Sequence, residues 1–139
     1  MTAASAGQGD SVPVLALGDV LLITLRGELH DGEAERLQYD ITHRIAHNPV
    51  PVGGVVIDIS GVEIVDSFLG RVLSEIAASA RLLATGTVLA GMRPAVAMTL
   101  VELGLTLPGL DTALDVGRAL ALLGRAPSGS SPAHAEEGA

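Results

Sequence analysis

The stretch VVIDISGVEIVDSFLGRVL, residues 55–73, changes its periodicity halfway along. Residues 55–59 form an unbroken apolar, β-branched run, the pattern of a strand buried on both faces as in a parallel sheet. Beyond it, Leu69, Val72, Leu73, Ile76, Ala80 and Leu83 recur at helical spacing. A buried strand that leads into an amphipathic helix is the building unit of an α/β fold. Asp66 and Ser67 stand at the join. Asp66 is the expected N-cap, its carboxylate accepting a backbone N–H, with Ser67 in the first turn. A cap, a catalytic pair and a site where charge is added are the three readings open to this pair.

Outward from this unit the pattern repeats. Residues 12–17 and 20–26 are apolar and β-branched around Gly18-Asp19, a hairpin signal. Residues 31–47 place Ala34, Leu37, Ile41 and Ile45 on one helical face. Asp31 is the expected N-cap, with Glu33 and Glu35 in the first turn, and Asn48-Pro49 ends the helix. Residues 87–90 read as a short strand, and Pro94 suits the first position of a helix over 95–103 that Gly104 closes. A last strand is expected at 112–115 and a short helix at 117–124. The order β-β-α-β-α-β-α-β-α implies a mixed, mostly parallel β-sheet that starts with a β-hairpin and carries four to five helices. Such folds bear their sites at the C-terminal ends of the strands, where residues 58–67 fall. Residues 1–11 are expected to be a flexible N-terminus, 12–125 one domain, and 126–139, APSGSSPAHAEEGA, a disordered tail.

Composition narrows the function. The 139 residues carry a net charge of −8, a field that repels nucleic acid and anionic lipid but does not repel a basic protein partner. Tyr39 and Phe68 are the only aromatics, too few for a base-stacking surface. The absence of lysine excludes a Schiff base or a Walker lysine, and the absence of cysteine excludes thiolate chemistry. The start has neither the basic residues nor the apolar run of a signal peptide, and no apolar run approaches the roughly 20 residues that span a bilayer. A cytoplasmic location is the expectation.

The remaining motifs are weak. His43 and His47 lie four apart near Asp40, without the residues that complete an HExxH pattern, so no metal is expected. The glycines of Gly53-Gly54 and Gly91 do not have phosphate-loop spacing. Asp58, at a strand end, reads as a bond to backbone amides in the next loop. Ser67 has Asp66 beside it and no histidine in its segment, with His30 on another element and His134 in the tail. The G-x-S-x-G elbow is missing, so no enzyme and no cofactor are expected.

Two separated segments carry a resemblance. VVIDISGVEIVDSF resembles the core of STAS domains, the fold of anti-sigma factor antagonists, and AGMRPAVAMTLVELGL resembles a second segment of the same family. Many stand-alone antagonists have Asp-Ser-Ser-Gly at the helix start. Here it reads Asp66-Ser67-Phe68-Leu69-Gly70, which is similar to the RsbS-type scaffold of the stressosome. No sensory module is expected ahead of the fold, unlike the larger RsbR-type paralogues. The polar tail and the NPVPVGG segment depart from the family pattern.

The resemblance implies a non-catalytic phosphoprotein. It implies assembly with RsbR-type STAS paralogues, self-association, and sequestration of an RsbT-type serine kinase until a stress response. Ser67 matches the phosphorylated serine, and Thr99 is a secondary acceptor inside the third helix. The implied partner surface comprises Asp58, Asp66, Ser67, Phe68, Gly70 and Arg71, with Gly70 leaving room for a partner's backbone. No nucleic acid and no membrane are implied. The alternatives are a stand-alone STAS module that binds a small ligand or regulates a transport system, and an enzyme built on Asp58 and Ser67.

Overall fold

The computed structural model describes residues 12–105 and 107–124. The flexible N-terminus expected at 1–11 and the tail expected at 126–139 lie outside the described residues. Five strands form one sheet in the order β1-β2-β3-β4-β5: Val14–Leu17, Val20–Arg26, Gly54–Gly61, Thr87–Ala90 and Leu110–Ala113. β1 and β2 are the antiparallel hairpin, turning at Gly18 with φ +61°. The other neighbours run parallel. Four helices connect or follow the strands: α1 (Asp31–His47), α2 (Ser67–Leu82), α3 (Pro94–Glu102) and α4 (Val116–Leu122).

Strand alternation divides the core in two. Leu21, Ile23, Val55, Ile57, Ile59 and Leu89 face α1, α2 and α3. Val20, Val56, Val88 and Ala90 face the other way, where Ala119 of α4 meets them. β3 is thus buried on both sides, as its unbroken apolar run demands.

Several boundaries depart from the pattern reading. The cap of α1 is His30, not Asp31: Glu33 Oε1 accepts from His30 N at 2.9 Å, and Asp31 is the first helical residue. Residues 12–13 precede β1 because Pro13 has no N–H to give a ladder. Pro94 opens α3, and Leu103 caps it rather than belonging to it. Leu83 is the C-cap of α2 and is exposed, since the chain leaves helical geometry there. The last strand sits at Leu110–Ala113, two residues early, and Asp115 caps α4 through Arg118 N at 2.8 Å.

Candidate functional site

The C-terminal ends of β2, β3 and β4 release three loops at one edge of the sheet. The β3–α2 loop carries the site. Its shape begins with a bulge: Thr24 pairs with Asp58 but Arg26 pairs with Gly61, so β3 holds one residue more than β2. Asp58 Oδ1 accepts from Ser60 N at 3.0 Å and steadies that bulge. Gly91 packs against it with φ +77°, and a Cβ there would come within 2.9 Å of Ser60 Cβ. Arg93, the N-cap residue of α3, donates from Nε to Ser60 O at 2.9 Å, and its Nη1 lies 3.9 Å from Glu63 Oε2. Two loops are thereby tied by one guanidinium.

Asp66 caps α2. Its φ of −125° is extended, and Oδ1 accepts from Leu69 N at 2.9 Å. Val62 and Val65 are buried on either side of the exposed Glu63 and Ile64, so the loop is pinned by two apolar anchors. Ser67 follows the cap as the first helical residue. It is exposed, and its hydroxyl makes no hydrogen bond among the described residues. Phe68 is half-buried against the core, and the Arg71 guanidinium lies over its ring at 5.9 Å from the centroid. Asp66, Ser67 and Arg71 are therefore presented together on the surface of the first turns of α2.

Two expected site residues are placed otherwise. Gly70 is buried and faces α3, where a Cβ would overlap Leu105 Cδ1. It lets a helix and a loop approach, and offers a partner no backbone. Thr99 is half-buried, with Oγ1 donating to Ala95 O at 3.0 Å, so its hydroxyl is engaged within its own helix. The histidines of α1 stack on one another, His43 on His47 at 4.3 Å between centroids, while Asp40 pairs with Arg44 at 3.2 Å rather than turning toward them. Among the described residues no three His, Cys, Asp or Glu side chains are grouped as metal ligands would be. Arg93 was not singled out by sequence reasoning. Its one available signal was a lone cation in the Gly91-Met92-Arg93-Pro94 turn.

Residues 11–118 match the family described as the STAS domain. The chain belongs to the STAS domain family. Among solved STAS structures it resembles a serine-to-glutamate variant of RsbS from Moorella thermoacetica, at 41% identity and a TM-score of 0.69, covering 81% of this chain and 93% of that one. It resembles equally a chain from the molecular architecture of the stressosome, at 42% identity and a TM-score of 0.68, covering 80% and 95%. Among curated proteins it is 30% identical over 112 residues to the RsbT co-antagonist protein RsbRC of Bacillus subtilis, covering 80% of this chain. The chain spans 39% of that relative's length. These likenesses place it with the anti-sigma factor antagonist branch of STAS domains, alongside the RsbS-type stressosome proteins. No helix among the described residues is long and apolar enough to cross a membrane.

Proposed function

We propose that this STAS domain is a non-catalytic scaffold of a stressosome-type complex. It assembles with RsbR-type STAS paralogues and with itself. It holds an RsbT-type serine kinase in an unstressed cell and releases it when that kinase phosphorylates Ser67. The observation that carries the reading is the geometry of the α2 start. The cap belongs to Asp66, so the Ser67 hydroxyl has no structural bond to lose and stands open to a phosphate donor.

The chemistry follows from position. The kinase supplies the base and the ATP, so Ser67 needs no activating histidine. The phosphate brings about −1.5 to −2 charge to the positive end of the helix dipole, so α2 stays folded. What changes is the contact. A hydroxyl that fitted against the kinase becomes a dianion set opposite the nucleotide's own phosphates, and repulsion and desolvation there weaken the complex. A loss of about 100-fold in affinity corresponds to under 3 kcal/mol, within reach of one such contact.

The test is kinase affinity for four forms of the protein by calorimetry. Ser67→Ala is expected to bind like the wild type and to block release. Ser67→Asp, with one charge only, is expected to bind more weakly, and the phosphoprotein about 100-fold more weakly. Equal affinity of the phosphorylated and unmodified chains would sink the reading.

A further inference from the structure

Ser67 and Arg71 stand four residues apart on α2, so their side chains share one face of the helix, with Cβ atoms about 5–6 Å apart. Both residues are exposed. Arg71 makes no ion pair among the described residues, and its guanidinium rests over the Phe68 ring at 5.9 Å from the centroid. That is the outer limit of a cation–π attraction, about 6 Å, so the contact is easily exchanged.

The neighbouring carboxylates are otherwise engaged. Glu75, one turn further along α2, accepts from Gln38 Nε2 of α1 at 3.0 Å. It also follows Arg71 in the chain, and an acid C-terminal to its cation is the weaker order of an i,i+4 pair. Asp66 Oδ1 accepts from Leu69 N in the cap. Among the other cations of this edge, Arg93 is tied to Ser60 O and Glu63, and Arg26 lies with its stem across Gly61 on the β2 side of the bulge. Arg71 is therefore the cation left for an anion at position 67, and that pair has the favoured order, acid first.

We infer that Arg71 is the latch of the Ser67 phosphate: on modification its guanidinium leaves Phe68 and closes on the phosphate oxygens within one turn of α2. The inference rests on the phosphorylation reading above and adds what the phosphate does inside the domain. A guanidinium fork matches two phosphate oxygens at once, which the point charge of a lysine does not. The modified surface then differs by more than an added charge. The phosphate is held along the helix, the cation that the unmodified surface offered is spent, and one face of Phe68 is uncovered beside Ser67.

The latch is tested on the full chain with phosphoserine incorporated at position 67 during translation, so that no kinase is needed. The phosphate's second ionisation, near pH 6 in free phosphoserine, is followed by phosphorus NMR. The forms compared are wild type, Arg71→Gln, Arg71→Lys and a control, Arg118→Gln, on α4 at the opposite face of the sheet. A cation beside the phosphate favours the dianion and so lowers this value. Asp66, Glu63, Glu28 and His30 at the same edge, with Arg93 and Glu75, are unchanged in every form, so the differences isolate residue 71. Wild type and control are expected to titrate together, Arg71→Gln about half a unit higher, and Arg71→Lys between them. The Arg71 Nε–H signal is expected to move downfield in the wild-type phosphoprotein relative to the unmodified chain. Both substituted sites are exposed, and thermal melts verify that each variant is folded. Equal titration in wild type and Arg71→Gln overturns the latch and leaves the release reading standing. A rise in the control as large as that in Arg71→Gln also overturns it, since net charge alone would then be the cause. A kinase with ATP that leaves Ser67 unmodified in the unmodified chain, beside a titration that depends on Arg71, supports the latch and removes the release reading.

Discussion

At the scale of single residues, Asp66 and Ser67 divide structure from signalling. Asp66 holds the start of α2 by one side-chain bond to Leu69 N, while Ser67 holds nothing. Asp66→Ala is expected to cost about 1 kcal/mol of stability, the usual worth of a cap, and Asp66→Asn only a few tenths because its carbonyl oxygen accepts the same bond. Ser67→Ala should cost nothing in the same urea titration. If Asp66→Ala matched the wild type, the helix start would be held by the buried Val65 and Leu69 alone. The cap was legible in the sequence because capping is local chemistry: a short polar residue before an apolar stripe. Gly70 was not legible. Its meaning lies in Leu105, a residue distant along the chain that packs where a Cβ would stand, and one-dimensional spacing contains no such contact.

At the scale of elements, the helices and the central strands were readable because their apolar periods are long. The helix predicted over 31–47 and the strands predicted over 20–26 and 87–90 have the observed bounds. β5 was misplaced by two residues because an exposed four-residue edge strand, LDTA, has little apolar pattern to read. The bulge in β3 was invisible for a related reason: it is a mismatch between two strands, not a property of either. Yet that bulge, with Asp58 on Ser60 N and Arg93 on Ser60 O, sets the course of the loop toward Ser67. Arg93→Ala removes one hydrogen bond to a backbone carbonyl and one long ion pair at an exposed site, so it is expected to cost about 1 kcal/mol or less globally. Its larger effect should be local, as faster amide exchange across residues 60–66 with the sheet core unchanged. Unchanged exchange in that loop would show that Val62 and Val65 position Ser67 without help from α3.

At the scale of the whole molecule, the sheet is covered unevenly. Among the described residues, three helices lie on one face and α4 alone on the other. α4 reaches β3, β4 and β5, and no helix among the described residues covers the outer part of the hairpin on that face. There Leu15 pairs across from Leu22 and Leu17 across from Val20, so both leucines stand on the α4 side of the sheet. Leu15 is 56% exposed and Leu17 42% exposed. β1 is also an edge strand, VLAL, with none of the charges that commonly protect edges. Self-association through this strand is therefore expected, and two forces set its strength. Apolar burial favours it, while the −8 charge on each copy opposes it. Salt screens the second and spares the first, since the Debye length falls from about 10 Å at 0.1 M to about 3 Å at 1 M. Light scattering should accordingly show association rising with sodium chloride between these concentrations. Leu15→Lys combined with Leu17→Lys should abolish that rise and leave the fold intact, because both side chains already face water. Each lysine also lowers the net negative charge, which by itself would favour association. A loss of assembly in this double variant can therefore come only from the lost apolar contact and the charged edge, and persistence of the assembly would place the interface elsewhere on the domain.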